Sequence, residues 1–222
     1  MLVVAVLGSP HGERGTTASL LSPLLDRVQE LGGKVELFSL DKLEILPCRA
    51  CDTCHSTGKC PIEDGARQIA EALKKAQGIV FASPNYFSSV TAQLKALIDR
   101  LSAFAHTQAL EGKYAAAVVT GGAESKPVER YLLEVLSRYG CWKVGSVGAS
   151  SQDFASESKR TEAFRKAALL GSELLKAIKN KKSFPDQLEE LRTFADHMRS
   201  LVLSRGEQWR FEYEYWREKR KG

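Results

Sequence analysis

The sequence predicts an α/β fold, a doubly wound five-stranded parallel sheet followed by a C-terminal helical tail. Three observations predict it. Short apolar runs alternate with amphipathic stretches through the first 180 residues, the pattern of a parallel sheet wrapped by helices. Glycines stand where helices should end: Gly32 and Gly33 after the first, Gly140 after the fourth. No internal repeat or low-complexity segment interrupts the order.

The elements follow in turn. Residues 2–7, LVVAVL, form a first strand that runs into a Gly-Ser-Pro turn; the run is too short to cross a bilayer and carries no basic leader, so a cytoplasmic protein is expected. A helix over residues 17–31 leads to a strand over 35–40. After a cysteine-rich stretch come a helix over 66–75, a strand over 78–83 and a helix over 90–105. A strand over 114–120, a helix over 126–139, a strand over 141–147 and a helix over 156–179 complete the alternation. Five strands in this order suit the flavodoxin-like arrangement 2-1-3-4-5, which binds ligands beyond the carboxyl ends of strands 1, 3 and 4. Residues 1–182 are expected to form this domain and residues 183–222 an added tail. The tail carries an apolar helical stripe (Leu188, Leu191, Phe194, Met198, Leu201, Val202) and then five aromatics among charges. It is expected to pack on the chain's own body, with a subunit contact as the alternative, and to carry no chemistry.

The formal net charge of +5 equals the surplus of eight Lys and Arg over three Glu between Ser156 and Lys182. A local basic helix face with no nucleic-acid module argues against a nucleic-acid partner and for an acidic protein or an anionic cofactor.

Three loops fall at one end of the predicted sheet. "GSPHGERGTT" (Gly8 to Thr17) follows strand 1. Its glycines let the backbone curl, the hydroxyls of Ser9, Thr16 and Thr17 can donate to phosphate oxygens, and His11 and Arg14 add positive charge ahead of a helix N-terminus. No Lys precedes Thr16, so it is not a Walker loop, and the glycines do not make G-x-G-x-x-G. "SPNYFSSVTAQLKALIDR" (Ser83 to Arg100) follows strand 3: Pro84 stiffens the exit, Tyr86 and Phe87 offer rings, and Ser88 and Ser89 are expected to open a helix. "TGGAES" (Thr120 to Ser125) follows strand 4, with Gly121 and Gly122 permitting close backbone approach. Together the loops describe a site for a phosphate at one end and a planar ring at the other.

These loops resemble those of the NADPH-dependent FMN reductase family, the first its "GSPR…GNT" loop and the second, more specifically, its "SP-x-YF-x-S-V-S-x-x-LK-x-x-IDR" segment. The resemblance covers about residues 1–180. It implies that Ser9, Thr16 and Thr17 take the FMN phosphate. Pro84, Asn85, Tyr86, Phe87 and Ser88 would meet the ribityl chain and ring face, and Gly121 and Gly122 the pyrimidine edge. His11 stands where the family has Arg, and Gly15 or Thr16 where it has Asn; Arg14 is the replacement cation.

Four of the five cysteines, Cys48, Cys51, Cys54 and Cys60, lie in one loop as C-x2-C-x2-C-x5-C, with Pro61 after the last. In a reducing compartment such thiols serve metal or redox chemistry rather than bracing. Overlapping C-x2-C steps favour a cubane cluster, whereas zinc sites more often use two pairs on a long arm; cluster, zinc and free thiols stay open. The loop resembles that of the iron-sulfur flavoproteins, a branch of the same superfamily. That resemblance implies a 4Fe-4S cluster exchanging electrons with FMN across the subunits of a homodimer or homotetramer. His55 is expected to be a loop residue and Cys141 a buried apolar one.

The function expected is an FMN-dependent oxidoreductase that draws electrons from NAD(P)H or reduced ferredoxin and delivers them through the cluster or to a small acceptor, with no membrane partner. A flavodoxin-like carrier and a zinc-stabilised nucleotide-binding module are the alternatives.

Overall fold

The computed structural model describes residues 1–122 and 124–219. Its sheet has the order β2-β1-β3-β4-β5, all parallel, formed by β1 (Leu2–Leu7), β2 (Lys34–Ser39), β3 (Gly78–Pro84), β4 (Tyr114–Gly121) and β5 (Trp142–Ser150). The three central strands are apolar runs because both of their faces are covered. Side chains alternate across the sheet: Val4, Val6, Ile79 and Phe81 face one core, and Val3, Ala5, Leu7 and Val80 face the other. Edge strand β2 is largely exposed, and its charged Lys34 and Glu36 discourage pairing with another chain.

Helix α1 (Thr16–Glu30) covers one face with the long helix near the end of the domain. The other face is covered in part by three shorter helices. These are α3 (Gly65–Lys75), α4 (Ala92–Arg100) and α5 (Ser102–Thr107), preceded in the cysteine loop by the short α2 (Thr53–Thr57). They are followed by α6 (Lys126–Arg138), α7 (Ser151–Ala155), the long α8 (Glu157–Lys179), and, in the tail, α9 (Pro185–Arg205) and α10 (Arg210–Lys219). No described helix is long and apolar enough to cross a membrane.

Three differences from the expected elements bear on function. The helix expected over residues 90–105 starts only at Ala92, capped by the Thr91 hydroxyl, which accepts from the Leu94 amide at 3.3 Å and donates to the Gly8 carbonyl at 2.6 Å. It breaks at Leu101 and restarts as α5. Ser88 and Ser89 therefore do not open it. Tyr86 and Ser89 instead exchange backbone hydrogen bonds of 2.9 and 3.0 Å around Phe87 and Ser88, both at positive φ (50° and 63°), in the manner of a two-residue hairpin turn. The last strand runs to Ser150, three residues beyond expectation, and hands directly to α7 through a capping box between Ser150 and Asp153. Cys141 is fully buried, and burial pushes its thiol pKa up.

Candidate functional site

The first site lies where β1, β3 and β4 end. Ser9 and Thr17 are buried, and the loop between them is wound tightly: the Gly12 amide donates to Ser9 O at 3.0 Å and the Gly15 amide to Gly12 O at 3.1 Å. Gly12 makes this possible. It sits at φ +56°, and a Cβ there would fall 2.2 Å from a carboxylate oxygen of Asp41. Gly15 caps α1 without a side chain, so the first-turn amides of that helix are left for an anion. The Thr17 and Thr120 hydroxyls meet at 2.6 Å, tying the phosphate loop to the end of β4.

The cleft that results is lined by Ser9, His11, Thr16 and Thr17 from the first loop, Pro84, Asn85 and Tyr86 from the second, and Gly121 and Gly122 from the third. Nine of the sequence-predicted residues thus converge. Arg14, Phe87 and Ser88 do not line it: Arg14 projects from a single 3-10 turn into solvent, and the Phe87 ring is fully exposed at the tip of the hairpin turn. Thr120, at the start of the third loop, and Ser151 and Phe154, outside all three loops, also line the cleft. The last two arrive because β5 overruns its expected end, and Ser151 Oγ donates to the Gly122 carbonyl at 3.1 Å. A readable signal existed in the Ser-x-x-Asp capping pattern at Ser150.

Asn85 carries the clearest sign of a ligand. Its Nδ2 donates to the Glu124 carbonyl at 2.6 Å, while its Oδ1 is buried with no partner among the described residues. A buried acceptor without a donor is costly, and a flavin supplies ribityl O–H and ring N–H groups that would satisfy it. The cleft therefore fits FMN.

The second site is the cysteine loop. All five cysteines are free, and Cys48, Cys51, Cys54 and Cys60 line one small cleft with Asp99 and Arg100. Ala50 and Asp52 take positive φ (50° and 56°), which turns the chain sharply between successive cysteines. Hydrogen bonding from Thr53 holds the Cys51 thiol below its ordinary pKa, favouring the thiolate that ligates metal. The donor set of four thiols fits an iron-sulfur cluster.

Two cationic side chains face the loop. Arg100, at the C-terminal end of α4, donates from Nε to Cys60 Sγ at 3.2 Å. His55, expected as a loop residue, is buried in the short α2, with Nδ1 at 2.7 Å from Glu212 Oε1. Burial opposes its charged form, but hydrogen bonds to Cys54 and Glu212 outweigh that and leave its pKa pushed up to about 10. Glu212 also meets His106 Nδ1 at 3.0 Å, and Trp209 stacks on both imidazoles at 4.5 and 4.9 Å between ring centres. Glu212, Trp209 and Phe211 belong to the tail, which packs on the chain's own body as expected, and there it closes one side of the cysteine loop.

The loop is fastened to the far end of α4 from the first site. Thr91 at the start of that nine-residue helix holds Gly8, and Arg100 at its end holds Cys60. The rise of the helix puts about 13 Å between those two attachments.

Comparison with known proteins shows the family and the fold. A family model for NADPH-dependent FMN reductase matches residues 1–155. The chain is 29% identical over 224 residues to an iron-sulfur flavoprotein of Archaeoglobus fulgidus, covering 99% of each. It is 36% identical over 135 residues to one of Methanocaldococcus jannaschii, covering 61% of this chain and 69% of that protein. Among solved structures, RosB with bound 8-demethyl-8-formylriboflavin-5'-phosphate superposes with a TM-score of 0.64 at 15% identity, covering 88% of this chain and 86% of that one. The apo NADH:FMN oxidoreductase EMOB does so at 0.56 and 24%, covering 83% and 92%. These two likenesses describe the fold.

Proposed function

Because the chain belongs to the NADPH-dependent FMN reductase family, in its iron-sulfur flavoprotein branch, we propose that this oxidoreductase receives electrons from NAD(P)H or a reduced ferredoxin at FMN. We propose further that it exchanges them with a 4Fe-4S cluster on Cys48, Cys51, Cys54 and Cys60. The observation that carries the flavin half is the unpartnered Oδ1 of Asn85 in a cleft walled by three loops. The cluster half rests on four free thiols lining one cleft beside a cation.

FMN, when bound, accepts a hydride and releases its electrons singly, which is what coupling a two-electron donor to a one-electron acceptor requires. The protein's part is placement. Ser9, Thr16, Thr17 and the first amides of α1 bind the phosphate; His11 lines the same end, and Arg14, outside the cleft, supplies positive charge. Asn85 fixes the ribityl chain or ring edge, Tyr86 and Phe154 cover ring surface, and Gly121 and Gly122 admit the other edge. No side chain needs to act as nucleophile or general base. Basic residues on α8 suit an acidic ferredoxin as the alternative donor.

A homodimer or homotetramer fits this reading. The two attachments on α4 stand one helix length apart in a single chain, and Tyr86 and Phe87 present exposed rings at the flavin rim that a second subunit would cover.

Anaerobically purified protein assayed for flavin, iron and sulfide, then mixed rapidly with NADH, NADPH or reduced ferredoxin, tests the proposal. It predicts about one FMN and four iron per chain and bleaching of the flavin by at least one donor. Bound flavin that none of the three reduces overturns the enzyme reading, and zinc in place of iron overturns the cluster.

A further inference from the structure

Arg100 ends the "LKALIDR" segment, all of which lies in α4. Its own contacts lie elsewhere. The guanidinium is 2% exposed and spends all five of its N–H donors. Nε donates to Cys60 Sγ at 3.2 Å. Nη1 donates to the Leu46 carbonyl at 3.0 Å and Asp64 Oδ2 at 2.6 Å, and Nη2 to the Ile62 carbonyl and Asp64 Oδ1, both at 3.1 Å. Leu46 stands two residues before Cys48 and Ile62 two residues after Cys60, so one side chain grips both ends of the cysteine loop. Asp64, itself 1% exposed, is fixed in turn by accepting from the amides of Leu46 at 2.8 Å and Ala66 at 3.0 Å. Of the four thiols, Cys60 alone meets the guanidinium in this way.

We propose that Arg100 is a positioning residue that sets the reduction potential of the cysteine-loop cluster, through its Nε–H bond to the Cys60 sulfur and its closure of the loop's neck. The inference rests on the cluster reading above. Reduction adds negative charge to cluster and sulfur, and a donor aimed at the sulfur stabilises the reduced form more than the oxidised one. Asp64 neutralises the guanidinium beyond its immediate surroundings, so the effect is local. It follows that the two members of the pair act in opposite directions. Losing Arg100 leaves Asp64 facing the loop and makes reduction harder; losing the Asp64 charge leaves a bare cation and makes it easier. A purely structural role, in which either change loosens the same neck, moves both variants the same way.

Potentiometric titration of the reduced-cluster EPR signal, on wild type, Arg100→Gln, Arg100→Lys and Asp64→Asn, separates these. With the solution poised at the wild-type midpoint, Arg100→Gln should raise the oxidised-to-reduced ratio about tenfold, a shift of about 59 mV to lower potential for one electron. Arg100→Lys should do so by less, and Asp64→Asn should lower the ratio. If Arg100→Gln fails to hold iron, the opposite signs of Arg100→Lys and Asp64→Asn decide. Shifts of the same sign, or no shift in any variant, overturn the inference while leaving the cluster intact. Wild-type protein that takes up no iron and sulfide rejects the cluster reading, and this inference with it.

Discussion

Asn85 shows what a single residue can reveal. Its Oδ1 is buried with no donor among the described residues, so replacing it should cost the fold only the bond from Nδ2 to Glu124. Asn85→Leu is therefore expected to lower stability in urea by no more than about 1 kcal/mol. The same change should weaken FMN binding about tenfold, about 1.4 kcal/mol, read by quenching of flavin fluorescence. Equal losses in both measurements would mean that the side chain serves the loop and not a ligand. Most residues of this cleft are legible in the sequence because small, hydroxyl and glycine residues cluster at predicted strand ends, where the fold binds ligands. Phe87 and Ser88 are not placed by that logic, since two positive φ angles in a row turn them outward. Thr120 opens the third loop in the sequence, but its bond to Thr17, 103 positions away, is not legible there. His55 is misread for the same reason, because its partner Glu212 is 157 positions distant.

Among elements, the strands read most clearly, since a buried parallel strand is a short apolar run with little else to be. Helix starts read less well where a side chain decides them, as Thr91 does for α4 and Ser150 for α7. The seam between α6 and β5 carries a prediction of its own. Glu129 is buried and accepts from Ser125 Oγ and Ser146 Oγ, each at 2.7 Å, and from Lys126 Nζ at 2.9 Å. Burial alone would raise its pKa, but these hydrogen bonds and the lysine charge outweigh it and hold the carboxyl below its ordinary value. A folded pKa below the unfolded one means that the stabilisation is present above the ordinary glutamate value and is lost as pH falls through the depressed one. Thermal stability should then fall steeply below about pH 4, and Glu129→Gln should flatten part of that acid limb. An unchanged acid limb would show that Glu129 does not fasten the seam.

At the scale of the whole molecule, the tail joins what the sequence keeps apart. It was legible as an amphipathic addition, but not its destination, because nothing local in "WRFEYEYW" names the cysteine loop as the surface it covers. Phe211 lies so close over Gly58 that a Cβ there would fall 2.7 Å from its ring, and Glu212 holds His55 and His106 beneath Trp209. Ending the chain after Lys182 should therefore leave FMN affinity within about threefold of the full chain, a difference under about 1 kcal/mol, while iron is lost to a chelator several times faster. Equal rates of iron loss would make the tail a mere packing element. The proposed electron transfer depends on one flavin seated where β1, β3 and β4 end. Its most direct test is titration of flavin-free protein with FMN, followed by fluorescence quenching. Saturation is expected at about one FMN per chain, weakened by Asn85→Leu; a chain that binds no FMN, or whose binding ignores Asn85, contradicts a flavin site there.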